Sequence, residues 1–163
     1  MFRPSFWLPG GLRVVGVLSL VLARPVVVQG FEGEARAYLE KLGAARGLCV
    51  VLGDPQGSLS LELARDSELT LFAQSPQPTE VAAARQAADA AGLLGTRIYV
   101  QQGDYTHLNL ANDLADAVIV ANSALVVPRD ELMRVLRPDG KAIVGQMVFT
   151  KPYAPDTDEW THP

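Results

Sequence analysis

The stretch VVLGDPQGSLSLELA, Val50 to Ala64, holds three local patterns in fifteen residues. An apolar run, β-branched in the middle, spans Leu48–Leu52 and stops at Gly53. Asp54, Pro55 and Gln56 follow, and after Gly57 the residues Leu59, Leu63 and the small Ala64 recur at helical spacing. An apolar run without alternation is the pattern of a strand buried on both faces, and the change of period marks passage into a helix. Strand, glycine-bearing turn and helix in this order form the unit in which a turn holds a nucleotide-like ligand. Here, however, Asp54, Pro55 and Gln56 stand where such loops are richer in glycine.

The same alternation runs outward in both directions. Upstream, Ala35, Tyr38, Leu39, Leu42 and Ala45 trace one face of a helix, closed by Gly47. Downstream, ELTLFA (68–73) reads as a second strand. PTEVAAARQAADAAGL reads as an alanine-rich helix with Thr79 and Glu80 at its start and Gly92 at its end. TRIYVQQGD gives a third strand ending at Gly103–Asp104, and ADAVIVANS a fourth. VPRDELMRVLRPDG gives a helix with Pro128 at its first position, acids Asp130 and Glu131 in its first turn, and Arg134 and Arg137 in its last. GKAIVGQMVF gives a fifth strand. Doubly buried strands joined by helices imply an α/β sandwich of three layers, Rossmann-like, around a mostly parallel sheet of about five strands. The expected strands are 48–52, 68–73, 96–101, 116–121 and 141–148. Ligands of such a sheet bind beyond the carboxyl ends of the strands, at the switch point.

Composition narrows the function. The chain has 163 residues, 48% hydrophobic and 20% charged, enough for one domain with a proper core. The net charge of −4 gives no broad basic surface for nucleic acid. The single cysteine, Cys49, allows no internal disulfide and no zinc cluster, and its apolar surroundings mark a buried inert thiol rather than a redox centre. The first thirty residues stand apart. Arg3 and Arg13 precede the unbroken apolar run Val14–Ala23, too short to span a bilayer. A basic start, a short apolar run and small residues describe a secretory signal cleaved after Ala23 or Gly30, or an uncleaved anchor. Without Arg3, Arg13 and Arg24 the balance becomes 11 basic against 18 acidic residues. The organisation expected is leader 1–30, Rossmann-like domain 31–150 and a proline-punctuated tail 151–163. The location expected is periplasmic or secreted, with the cytoplasm as the alternative and contact with membrane only through the leader.

LMRVLRPDGKAIV (132–144) resembles the helix–turn–strand segment that follows the fourth strand of class I S-adenosylmethionine-dependent methyltransferases. VQQGDYTHL, ADAVIV and VVLGDPQGSL resemble that family's third-strand, fourth-strand and glycine-rich first motifs, so the likeness covers residues ~34–148 in order. It implies the strand order 3-2-1-4-5 and S-adenosylmethionine as cofactor. Gly53, Asp54 and Gly57 would lie against the methionine part, position 74 against the ribose hydroxyls, and Asp104 against the adenine amino group. Two residues depart from the pattern. A carboxylate is usual where Gln74 stands, and Pro55 removes a backbone donor and fixes φ. The family also completes its sheet with two further strands, one antiparallel, so the edge at the fifth strand is expected to be incomplete. More faintly, a leader, a degenerate methyltransferase-like domain and DTDEWTHP resemble the opening of secreted bacterial proteins that continue into a PQQ-type β-propeller.

Each candidate also has a plainer role. Gly53 and Gly57 suit a tight turn with or without a ligand. Asp54 suits a helix cap, and Gln74 a surface loop. Asp104 suits an Asx turn, and Asn122, which could line the methyl-transfer mouth, suits a turn equally. Tyr105 stacks on a ligand or packs a loop, and His107 is either a base or solvated. No nucleophile–base pair and no metal spacing can be assembled, which accords with methyl transfer, where alignment is the protein's main contribution. Three functions follow in order: a methyltransferase of unknown acceptor, a non-catalytic interaction or scaffold module of an exported protein, and, last, an NAD binder, since GDPQGS lacks the middle and third glycines of that fingerprint.

Overall fold

The computed structural model describes residues 32–153; the leader and the tail beyond Tyr153 lie outside them. Four helices and six strands follow in the order α1 (Glu32–Leu42), β1 (Arg46–Leu52), α2 (Ser58–Asp66), β2 (Glu68–Ser75), α3 (Pro78–Ala90), β3 (Ile98–Gln102), β4 (Ala115–Val120), α4 (Arg129–Val135), β5 (Leu136–Val144) and β6 (Met147–Thr150). One sheet holds all six strands in the order β3-β2-β1-β4-β5-β6. The first five are parallel, in the order the resemblance implied.

Period-two alternation divides the core into two. Cys49, Val51, Leu71, Ala73, Ala117, Ile119 and Ile143 face α1, α2 and α3, meeting Tyr38, Leu59, Leu63 and Ala84. Val50, Leu52, Phe72, Val118, Val120 and Ala142 face the other way, onto Leu132 and Val135 of α4 and onto Leu108 of the β3–β4 connection. Burial on both faces explains the unbroken apolar runs. Cys49 is fully buried, and burial pushes its thiol up to about 12, so it is inert at neutral pH.

Three features differ from the expectations. Helix α1 ends at Gly43, in the left-handed region at φ 65, not at Gly47, and Ala45 lies outside the helix and exposed. The last turn of α4 stops at Val135, and Arg137 belongs to β5, where it pairs with Asp116 at 2.7 Å. The expected fifth strand 141–148 is two strands. Gly145, at φ 60, reverses the chain, and Met147–Thr150 returns antiparallel against β5, pairing Val144 with Met147 and Lys141 with Thr150. The edge of β5 is therefore covered by a sixth strand.

Candidate functional site

The carboxyl ends of β1, β2 and β4 converge where the strand order reverses. A cleft of about 210 Å³ opens there, lined by Gly53, Asp54, Pro55, Gln56, Ser58, Leu59 and Ala121. Leu59 and the Pro55 ring make it largely apolar. Its shape depends on Gly53, at φ 81, where a Cβ would stand 2.8 Å from Leu125 Cδ1 and 3.0 Å from the Asn122 nitrogen. Gly57, at φ 73, precedes α2, and its missing side chain lets the loop approach the Ala84 backbone, 3.1 Å from where a Cβ would be. Both glycines are thus required by the backbone and by close approach.

Asp54 lines the cleft, and its carboxylate also caps α2. Oδ1 accepts from the Leu59 N–H at 3.3 Å, and Oδ2 from the Ser60 N–H at 2.8 Å and hydroxyl at 2.9 Å. Gln74 is 2% exposed and sits on the α4 side of the sheet, its amide directed into the β3–β4 connection. Nε2 donates to the carbonyls of Asp104 (2.5 Å) and His107 (3.1 Å), and Oε1 accepts from the Asn109 N–H at 2.9 Å. Both amide protons are thereby engaged. Gly103 makes room for this contact, since a Cβ there would lie 2.6 Å from Gln74 Nε2.

Asp104 is exposed and forms an Asx turn. Oδ1 accepts from the Thr106 hydroxyl (2.7 Å), the Thr106 N–H (2.9 Å) and the His107 N–H (2.8 Å). The Thr106 hydroxyl first, then the two N–H groups, hold the carboxyl below its ordinary range. All three bonds land on one oxygen. Asn122 Oδ1 accepts from the Ala124 N–H at 2.9 Å, a turn contact, and it is the preceding Ala121 that lines the cleft. Tyr105 is half-buried with its hydroxyl hydrogen-bonded to Ser75 and near Glu80; burial raises its pKa most, the Ser75 hydrogen bond partly offsets this, and the Glu80 charge adds to the rise. His107 has a partner the sequence did not reveal: its Nδ1 lies 3.5 Å from Glu131 Oε1.

Sequence reasoning missed the pair Ser75–Glu80. Leu52 is in register with Gln74, so Ser75 is the β2 residue level with Gly53. Its hydroxyl donates to Glu80 Oε2 at 2.5 Å and accepts from the Gln77 N–H at 3.1 Å. The available signal was parity: Gln74 and Ser75 must face opposite sides of the sheet, and only the Ser75 side carries α2 and α3. Also missed was Glu131, a buried carboxylate that accepts from the Leu108 N–H at 2.6 Å and pairs with Arg134 at 2.6 Å; the Arg134 contact, above all, holds its pKa down. Among the described residues no group of His, Cys, Asp and Glu could hold a metal ion.

A parallel sheet of this order with a glycine-bearing cleft at its switch point defines a Rossmann-like domain of the nucleotide-cofactor-binding class. The chain belongs to the methyltransferase-domain family, whose model matches residues 50–140. Its fold is similar to that of a candidate S-adenosyl-L-methionine-dependent methyltransferase from Methanococcus maripaludis, with TM-score 0.63, 24% identity, and coverage of 69% of this chain and 53% of that one. It is similar also to an S-adenosylmethionine-dependent methyltransferase from Aquifex aeolicus (TM-score 0.60, 18% identity, 69% and 63% coverage). A third likeness is to geranyl diphosphate C-methyltransferase from Streptomyces coelicolor (TM-score 0.62, 14% identity, 68% and 43% coverage), solved with Mg²⁺, geranyl diphosphate and S-adenosyl-L-homocysteine. The chain spans less than two thirds of the length of each of these proteins. No curated protein matches it.

Proposed function

We propose that this domain binds S-adenosylmethionine across the carboxyl ends of β1, β2 and β3 and transfers its methyl group to an acceptor approaching past Ala121 and Asn122, with an affinity lowered by its own loop sequence. The observation that carries the reading is the cleft between the Gly53–Leu59 loop and Ala121 at the switch point. At about 210 Å³ it is smaller than a typical whole-ligand pocket of ~300–1,000 Å³ and suits one end of an elongated cofactor. Its apolar lining suits the methionine chain, which leaves the nucleoside to lie along β2 towards Asp104, whose Oδ2 takes none of the three turn bonds. The cofactor, when bound, supplies an electrophilic methyl on sulfur. The chain's own part is to hold that carbon in line with the acceptor and to exclude water with Leu59 and Pro55.

Two observations support weakened binding. Pro55 offers no N–H, and the Asp54 carboxylate is occupied with capping α2. The same two observations favour the second reading, a domain retained as an interaction or scaffold module of an exported protein, with the leader-like residues 1–30 and the DTDEWTHP tail in support. In that reading the tail connects to a β-propeller. Calorimetric titration of the full chain with S-adenosylmethionine and S-adenosylhomocysteine separates the two. Saturable binding at high micromolar to millimolar concentration supports the first, low-micromolar binding would keep the cofactor but overturn the weakening, and absence of binding in a folded protein supports the second. Mass spectrometry of the expressed protein tests export: a mature start near Arg24 or Phe31 is expected, and an intact Met1 in the cytosolic fraction alone would overturn it.

A further inference from the structure

We infer that the β4–α4 loop and the β5–β6 hairpin together form the face with which this domain meets a zwitterionic lipid surface, the mouth of the cleft turned towards the bilayer. The face adjoins the cleft lining and is defined without reference to the cofactor.

The fold brings the two segments together at the carboxyl end of the sheet. The loop leaves β4 after Val120, and the hairpin turns at Gly145, just past the end of β5. They touch at both ends. A Cβ on Gly145 would lie 3.9 Å from Ser123 Cβ, and the Arg129 guanidinium stands 5.1 Å from the centre of the Phe149 ring. Val126 is midway between Ser123 and Arg129, and Met147 midway between Gly145 and Phe149, so the two are bracketed by these contacts. Met147 shares its face of the strand with Phe149, which packs on the α4 side together with Leu125 and Val127. Val126 is 86% exposed and Met147 58%. Val148, 45% exposed, continues the apolar surface onto the other face of the hairpin. Leu125 links this surface to the cleft, since it is the side chain that a Cβ on Gly53 would meet.

Single exposed apolar side chains need no explanation, but adjoining ones mark a surface that something covers. Its chemistry points to lipid. No charged side chain lies in 121–128 or in 144–149. The first cation at the rim is Arg129, whose stem and guanidinium lie along Phe149, an arrangement that keeps the charge at the level of phosphate groups while apolar neighbours go deeper. The apolar leader arrives at the same end. Only Gly43–Ala45 separate α1 from β1, so the helix runs back along the sheet and Glu32 lies towards the carboxyl ends of the strands. Lys41 of α1 also donates to Gln146 of the hairpin turn at 3.2 Å. The run Val14–Ala23 is thus tethered near the exposed loop, and cleavage after Ala23 would still leave Val26–Val28 and Phe31 there. The net charge of −4 disfavours an anionic surface, which leaves zwitterionic headgroups.

The test uses the full chain and phosphatidylcholine vesicles. An environment-sensitive fluorophore is attached to Val126→Cys, to Met147→Cys and, as a control at the opposite end of the sheet, to Ala45→Cys at an exposed position; the buried, inert Cys49 does not compete for the label. Vesicles are expected to shift the emission to the blue at positions 126 and 147 and to leave position 45 unchanged. Val126→Asp, with melting unchanged, is expected to lower vesicle partition roughly 10-fold, the order expected for withdrawing one aliphatic side chain from an apolar phase. Binding without a response at 126 and 147 would mean that the leader alone touches the bilayer, and it overturns the assignment, as does an equal response at position 45 or no binding at all. A concentration-dependent shift at 126 and 147 without vesicles would also overturn it, by showing that a second copy covers this face. Each of these outcomes leaves the cofactor reading to its own titration.

Discussion

At Pro55 and Gly53, two positions apart, the proposed cofactor binding and chain stability make different demands on the loop. Pro55 walls the cleft but contributes no donor. Pro55→Gly should tighten S-adenosylhomocysteine binding by roughly 2- to 12-fold, the value of one ordinary hydrogen bond. The same change should lower stability by ~0.4–1 kcal/mol, because glycine widens the unfolded ensemble. Calorimetry and urea denaturation should therefore move in opposite directions; a gain in both, or in neither, would remove Pro55 as the limiting residue. Gly53 behaves differently. Any side chain there meets Leu125 and the Asn122 backbone in a left-handed conformation. Gly53→Ala should cost roughly 2–4 kcal/mol in denaturant unfolding, from strain and overpacking together.

Gln74 shows where single-residue reading stops. Its position about twenty residues after the first glycine is visible in the chain, and a carboxylate there would seem a simple restoration. The fold makes Gln74 a staple instead, fastening Asp104, His107 and Asn109 at once. Gln74→Asp is too short to repeat these bonds and should loosen the connection, seen as faster amide exchange at Asn109, rather than strengthen ligand binding. Nothing local in AQSPQ distinguishes a staple from a ligand contact, because the partners lie thirty residues or more away.

At the scale of elements, the sequence was most informative where one period repeats over a whole segment. The β1 and β4 runs, the alanine-rich α3 and the β1–α2 turn are all found within a few residues of their expected places. It was least informative where two elements abut without a turn signal, as α4 and β5 do at Val135–Leu136, and where a lone glycine, Gly145, divides one apolar run into a hairpin. The connection from Gly103 to Leu114 gave no periodic signal, yet it is tied down by three side chains from two elements. Gln74 holds it from β2, and Glu131 and Arg134 hold it from α4, with Arg134 donating to the carbonyls of Leu108 (3.0 Å) and Leu110 (2.8 Å).

This α4 latch has a pH signature. The folded pKa of Glu131 lies below its ordinary value of 4.5, chiefly because Arg134 donates to it. A group whose pKa is depressed by folding stabilises above its unfolded value, and that stability is lost as pH falls through the folded one. Wild-type stability should therefore decline as pH drops below about 4.5 through the lower folded value. Glu131→Gln should be less stable than wild type at pH 7 and should show a shallower decline in that window. Thermal melts of both proteins from pH 7 downward measure this, and parallel curves would show that Glu131 contributes nothing to the acid response.

At the scale of the molecule, the central question is how a sheet of five parallel strands ends on its β5 side. Parallel strands are stable when covered on both faces, and an uncovered edge is a template for association. Here β6 covers that edge and is itself fastened through Lys151. The Lys151 ammonium donates to Asp113 Oδ1 (2.6 Å), the Met133 carbonyl (2.6 Å) and the Leu136 carbonyl (2.7 Å), and the Lys151 N–H donates to the Gly140 carbonyl at 2.9 Å. One side chain thus joins the end of β6 to α4, to the start of β5 and to the turn before β4. Removing residues 146–163 should expose the backbone of Lys141–Val144 and free Asp113 and α4 together. The expected result is a loss of roughly 2–5 kcal/mol, summing a few hydrogen bonds at ~0.5–1.5 kcal/mol each and the burial of Phe149, with concentration-dependent association in sedimentation. Lys151→Met separates the two effects: with β6 present it should reduce stability without association. Association in the point variant would mean that the strand alone does not protect the edge, whereas a monomeric truncation of unchanged stability would mean that β5 is a self-sufficient margin and β6 an appendage to it.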